Sequence, residues 1–283
     1  MRILSIQSSV SYGHVGNSAA VFPLQRLGHE VMPVYTVCFS NHTGYGAWRG
    51  PLMSGDDVRE IVTGIDERGG LADCELILSG YQGGSSIGDA ILDAVAKTKE
   101  RNPAAVYSCD PVLGNAKSGC FVAPEVQELI RDRVVQHADI ITPNQFELGF
   151  LTGTSPSDLA STLEAVKQAQ QIGPQTVLVT SVERPEIGDD EIEMLAVSGD
   201  EGWLIRTPRL PFKANGSGDV TAALFASHFV SGKSLREALE LTTASIFELL
   251  QNTLDSGQRE LQLIESQNSY VAPQRAFVAE RVL

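Results

Sequence analysis

RILSIQSSVSYGHVGNSAAVFPLQRLGHEVMPVYTV, residues 2–37, sets the architecture. Arg2–Gln7 is an apolar run of strand length that breaks into a polar loop, SSVSYGHVGN. Ser18–Leu27 then carries apolar residues at helical spacing and stops at Gly28, and Glu30–Val37 reads as a second strand. Strand, helix, strand requires a right-handed crossover and parallel pairing. The alternation continues outward. Strands are expected at Glu75–Ser79, Ala105–Asp110, Ala138–Thr142 and Thr176–Ser181. Helices are expected at Val58–Arg68, Ile87–Lys99, Pro124–Val134, Gln145–Leu151, Ser157–Gln171, Val220–Val230 and Leu235–Leu250. Glu191–Val197 and Gly202–Thr207 read as a hairpin, hence an antiparallel edge. The expected fold is α/β: one domain over residues 1–283, a mostly parallel central sheet flanked by helices. No reading attaches to Tyr270–Leu283.

Composition narrows the function classes. Of 283 residues 42% are hydrophobic and 20% charged, the balance of a globular chain. Lys plus Arg number 21 against 35 Asp plus Glu, a net −14 that repels nucleic acid and anionic lipid. Cys38, Cys74, Cys109 and Cys120 show neither a CxxC pair nor metal-ligand spacing, which suits reduced thiols in the cytoplasm. No apolar run approaches the length of a membrane span or a signal peptide.

In open parallel sheets ligands sit at the carboxyl ends of the strands. The polar loops Ser8–Asn17, Ser40–Gly46, Gly80–Ser86, Asp110–Gly119 and Pro143–Glu147 all fall at that edge. The sharpest motif is Gly216-Ser217-Gly218-Asp219, followed by a small apolar helix start. Two glycines and a serine let successive N–H groups converge at a helix N-terminus, a pocket for developing negative charge. An aspartate there accepts a proton from a hydroxyl. An ordinary turn with a first-turn acid has the same pattern. Asp110 ends the run AVYSCD, and Glu147 ends ADIITPNQFE, so two carboxylates at neighbouring strand ends suit Mg²⁺ held through water. There is no GxxxxGK[ST] and no GxGxxG after the first strand.

SIQSSVSYGHVGNSAAVFPLQRLG, FSNHTGYGAWRG, SCDPVLGN and ADIITPNQFELGFLTG, with the GSGD turn, resemble pyridoxal kinases of the ribokinase-like superfamily, in the family's order over residues 5–219. The resemblance implies an ATP-dependent phosphotransferase acting on the 5′-hydroxyl of pyridoxal, in a homodimer with no nucleic-acid or membrane partner. It implies Asp219 as general base and the N–H groups of Gly216, Ser217 and Gly218 as the anion hole. Ser8 and Thr43 match positions that hydrogen-bond the pyridine ring, with Phe39 and Tyr81 packing beside it. Asp110 and Glu147 would serve Mg²⁺, and Asp110 with Thr142 a monovalent cation such as K⁺. Thr180, Ser181 and Leu210 would border ATP. Asn115 departs from relatives that read DPVxGD. Asn115–Gly119 is expected to close over ATP on Gly114 and Gly119, and Cys120 is placed to add reversibly to a bound aldehyde. The rivals are a kinase for a hydroxymethyl pyrimidine and a non-catalytic protein that stores B6 aldehyde.

Overall fold

The computed structural model describes residues 1–283. In chain order the elements are β1 (Arg2–Tyr12), α1 (Asn17–Arg26), β2 (Glu30–Asn41), α2 (Gly55–Glu67), β3 (Cys74–Ser79), α3 (Ser85–Arg101) and β4 (Val106–Cys109). Then come the short β5 (Gly114–Asn115) and β6 (Gly119–Cys120), α4 (Pro124–Leu129), β7 (Ile140–Ile141), α5 (Gln145–Thr152) and α6 (Leu159–Ile172). The chain ends with β8 (Thr176–Val182), β9 (Glu191–Ser198), β10 (Glu201–Pro208), α7 (Ser217–Val230), α8 (Leu235–Ser256), α9 (Gln267–Val271) and β11 (Glu280–Arg281).

Nine strands form one sheet in the order β11-β10-β9-β8-β7-β4-β3-β1-β2. Pairing is parallel from β2 through β8 and antiparallel from β8 to β11. Successive strand residues point to opposite faces, and both faces are covered. Leu4, Ile77 and Val177 pack with Val58, Ile91 and Val166 of α2, α3 and α6 in a 36-residue core. Ile3, Leu76, Leu78 and Leu178 pack with Leu24, Phe225 and Leu239 of α1, α7 and α8 on the other side. Burial on both faces, at about 1.5–3 kcal/mol per large aliphatic side chain, explains why the strands read as continuous apolar runs.

Two expectations are corrected. Ser8–Tyr12 and Cys38–Asn41 are strand, not loop: Ser9 pairs with Cys38, Val10 with Phe39 and Tyr12 with Asn41 after a bulge between Gln7 and Ser9. Their partly exposed, polar sequence hides a ribbon that extends β1 and β2. The helix from Pro124 ends at Leu129; a π turn over Ile130–Val134 replaces its expected last turn, and a 3-10 turn over Val135–His137 follows. The tail, for which there was no expectation, supplies the sheet's last strand, with Trp203 opposite Arg281 and Leu204 opposite Glu280.

Candidate active site

The GSGD turn is the first turn of α7. Gly216 caps it at φ +85°, left-handed backbone that only glycine adopts cheaply. A Cβ there would lie 1.9 Å from the His14 carbonyl oxygen, so the turn is pressed against the β1–α1 connection. No side chain caps this helix, which leaves the N-terminal N–H groups of its first turn open to a ligand. Asp219 stands in that turn. Burial raises its carboxyl to about 6, against the opposing pull of the Gly16 N–H and its own N–H.

Asp110 faces Asp219, and Glu147 stands on the far side of Asp110. Asp110 leaves the carboxyl end of β4, its N–H donating to the Ser79 carbonyl at 2.9 Å. A Cβ on Gly218 would lie 4.0 Å from Asp110 Oδ2, so this carboxylate borders the turn. Burial, then the charges of Glu147 and Asp219, push the Asp110 carboxyl well above its usual range. Glu147 is also raised by burial, but its oxygens are engaged. Oε1 accepts from Leu113 N–H at 2.7 Å and Gly114 N–H at 3.1 Å, and Oε2 accepts from Asn144 N–H at 2.9 Å. Glu147 therefore clamps the Asp110–Gly114 loop onto the start of α5. Neither of the two readings the sequence allows for Glu147, a Mg²⁺ residue or a plain first-turn helix acid, includes this clamp.

A cation fits here. Asp110 and Asp219 are partly buried, Glu147 is fully so, and the charges of Glu147 and Asp219 both act on Asp110; the Thr142 hydroxyl lies near Asp110 without reaching any partner at hydrogen-bonding geometry. No three acidic, imidazole or thiol groups stand close enough to chelate a metal ion by themselves, so phosphate oxygens and water would complete its shell.

The ring-binding candidates lie at the ends of β1, β2 and β3. Ser8 is buried at the β1 bulge, packed against Gly16, where a Cβ would be 2.3 Å from the Ser8 hydroxyl. Phe39 on β2 stands 6.1 Å from the Trp48 ring. Tyr81 follows β3, is half-buried against the core, and its carbonyl accepts from the Thr36 hydroxyl at 2.7 Å. Thr43 begins an exposed 3-10 turn, Thr43–Tyr45, capped by His42 Nδ1, which accepts from Gly44 N–H at 3.0 Å. Farther along the edge Thr180 and Ser181 end β8 and Leu210 follows β10. Val112 (φ +42°), two residues after Asp110, and Ser181 (φ +52°), near the end of β8, are the two non-glycine residues with positive φ. Such strained backbone costs about 1–3 kcal/mol and concentrates at functional sites.

Asn115 and Cys120 lie in the β5–β6 hairpin. Asn115 Oδ1 accepts from Lys117 N–H at 3.0 Å and Ser118 N–H at 3.1 Å, so it shapes its own turn. Cys120 is half-buried opposite Gly114, and burial followed by the Glu147 charge pushes its thiol up. Sequence reasoning missed Gly13, Gly16, Arg259 and Glu260. The glycines sat in an expected loop, and the last pair touches the site only through tertiary contacts.

A family model described as phosphomethylpyrimidine kinase matches residues 84–263. The chain is 62% identical over 282 residues to the pyridoxal kinase PdxY of Leifsonia xyli subsp. xyli and 58% identical to that of Corynebacterium diphtheriae, covering 100% of each chain in both cases. Among solved structures it matches a pyridoxal kinase from Leishmania donovani in complex with ADP and pyridoxamine, at a TM-score of 0.93 and 29% identity, covering 100% of this chain and 99% of that one. An uncapped helix N-terminus facing the Asp110 carboxylate at the carboxyl edge of a ribokinase-like sheet, with relatives that align end to end, places the chain in the pyridoxal kinase family.

Proposed function

We propose that residues 1–283 act as one domain that transfers the γ-phosphoryl group of ATP to the 5′-hydroxyl of pyridoxal, yielding pyridoxal 5′-phosphate in vitamin B6 salvage. The observation that carries this reading is the Asp219 carboxyl, raised to about 6 at the open N-terminus of α7 and facing Asp110. Asp219 takes the hydroxyl proton as that oxygen attacks the γ-phosphorus and ADP leaves. The N–H groups of Gly216, Ser217 and Gly218 receive the charge on the transferring group without reorganising. Ser8 and Thr43 hold the polar atoms of the ring, with Phe39 and Tyr81 against its faces. Thr142, Thr180, Ser181 and Leu210 line the ATP side.

Asp110, backed by Glu147, would hold Mg²⁺, which supplies neutralisation of phosphate charge; Asp110 with Thr142 offers oxygen ligands for K⁺. We place Cys120 as the thiol facing the aldehyde. Hemithioacetal formation adds sulfur to the carbonyl carbon and the thiol hydrogen to its oxygen. A raised thiol works against that step, so Cys120→Ala is expected to change affinity for pyridoxal and for pyridoxine, which has no carbonyl, by the same factor. A loss confined to pyridoxal would establish the covalent contact. We place the enzyme in the reducing cytoplasm as a homodimer; exposed Tyr35, Trp48 and Leu52 beside the outer strand β2 offer an apolar face for the second copy.

The pyrimidine-kinase reading draws on the family match at residues 84–263. Ser8, Phe39, Thr43 and Tyr81 lie outside that span, whereas the pyridoxal kinase relatives cover them. The test is phosphate-ester formation from pyridoxal, hydroxymethyl pyrimidine and MgATP. Turnover with pyridoxal is expected to dominate; dominance of the pyrimidine would replace the substrate, and binding without turnover would favour a storage protein. Because Asp219 is a base only when ionised, kcat/KM is expected to fall about tenfold per pH unit below pH about 6 and to level off above it. A flat profile from pH 5 to 8 would remove Asp219 as the base.

A further inference from the structure

Arg259, Glu260 and Leu261, in the connection after α8, between them touch the Thr43–Tyr45 turn, the β1–α1 turn and the start of α7. Glu260 Oε2 accepts from His14 N–H at 3.1 Å, and it approaches so closely that a Cβ on Gly13, at φ +89°, would lie 2.1 Å from it. Its other oxygen, Oε1, accepts from the Tyr45 hydroxyl. The Arg259 guanidinium lies 3.7 Å from the centroid of the Tyr45 ring and donates to the Gly44 carbonyl at 3.2 Å. The Tyr12 ring meets Tyr45 edge-on at 6.0 Å. Leu261 is buried with Val220 and Leu224 of α7, and its Cδ1 would lie 3.3 Å from a Cβ on Gly216.

The chain of contact runs from the Thr43–Tyr45 turn through one carboxylate to Gly13 and His14. From there the His14 carbonyl meets Gly216, and the Gly16 N–H faces Asp219. The Thr43–Tyr45 turn, by contrast, is three residues long and largely exposed, with one side-chain cap of its own. Burial keeps His42 below its usual pKa, hence neutral and able to accept in that cap. Asn41 Nδ2 ties the flanking His42 and Ala47 carbonyls together, but these bonds stay within the loop; Glu260 is what joins the turn to the β1–α1 connection.

Resting on the kinase reading, we propose that Arg259 and Glu260 are positioning residues: they latch the ring-binding turn at Thr43 to the β1–α1 turn that supports Asp219 and Gly216, so that ring and base are set in one register. Neither side chain need touch the substrate. Loosening the latch releases Thr43 first and the base second.

Tyr45→Phe removes the hydroxyl donor and leaves the Glu260–His14 bond intact. It is expected to raise KM for pyridoxal about tenfold, the scale of one hydrogen bond to a charged group, with KM for ATP and the unfolding temperature unchanged. Glu260→Ala is expected to raise KM for pyridoxal at least as much and also to lower kcat. Glu260→Gln keeps an acceptor for Tyr45 but presents its amide to the His14 N–H, so it should restore KM and not kcat. A second readout needs no substrate: trypsin cleavage at exposed Arg49, just beyond the turn, should quicken severalfold in Tyr45→Phe and Glu260→Ala. An equal rise in KM for pyridoxal and ATP, or cleavage at Arg49 at the wild-type rate, overturns the latch. Wild-type protein that fails to phosphorylate pyridoxal would overturn the kinase reading instead, and the cleavage comparison would still decide the latch.

Discussion

Asp219→Asn is expected to lower kcat about a thousandfold while KM for pyridoxal and for ATP changes less than threefold, the pattern of a group needed only as the proton moves. Asparagine keeps the size and the acceptor oxygen that faces the Gly16 N–H, so the turn should keep its shape. It cannot take a proton. The same substitution is expected to stabilise the fold at pH 8. The folded carboxyl is raised from 3.8 to about 6, so the folded state prefers it neutral. Its contribution to stability is complete below pH 3.8 and is lost as pH rises through 6, because burying the charge is then a net cost. Two pH units correspond to about 3 kcal/mol at most, and partial exposure to solvent lowers the expected gain to about 1–2 kcal/mol. Thermal unfolding should therefore show Asp219→Asn a few degrees above wild type at pH 8 and level with it at pH 4. A variant that is inactive and less stable at pH 8 would mean that Asp219 serves the fold, not the chemistry.

That stability–activity conflict also marks what was legible in the sequence. Strands such as ELILS read correctly because both faces of β3 are buried, and the hairpin around residue 200 read correctly because its pattern and its turn agree. Ser8–Tyr12 and Cys38–Asn41 did not, because a ribbon with partly exposed faces needs no apolar alternation; the two segments hold each other by backbone pairing. β11 is two residues long, and only its partner β10 makes it a strand. Among the site candidates, those at strand ends could be named one by one, since the topology brings the carboxyl ends of the parallel strands to one edge. What each does there depends on contacts that spacing does not carry. Glu147 reads as a first-turn acid, and nothing in ADIITPNQFE tells that it also holds two N–H groups of the DPVLG loop. Asn115 reads as an altered ligand, yet its side chain caps its own hairpin. Glu260 lies 215 residues from Tyr45 in the chain, in a stretch with no motif at all.

Glu147 yields the other large effect. Glu147→Ala is expected to lower stability by about 3–5 kcal/mol, because three N–H donors, those of Leu113, Gly114 and Asn144, lose one buried acceptor, each at about 1–3 kcal/mol less what entering water recovers. For a chain of this size that is a fall of roughly 10 °C in the unfolding midpoint. Activity should fall further than stability alone requires. The Leu113 and Gly114 N–H groups hold the loop whose strained Val112, at φ +42°, turns its own N–H toward Asp110. Freed of the clamp, the loop relaxes and Asp110 moves from the position where it faces Gly218. A residue serving only as a distant Mg²⁺ contact predicts the reverse: an unfolding midpoint near wild type and activity restored by raising Mg²⁺. Glu147→Gln separates the two readings. Its one carbonyl oxygen can still accept from Leu113 and Gly114, but its amide meets the Asn144 N–H, so the clamp predicts an intermediate midpoint and partial activity at any Mg²⁺ concentration. Measured side by side, thermal unfolding and Mg²⁺ titration assign Glu147 to the loop or to the ion.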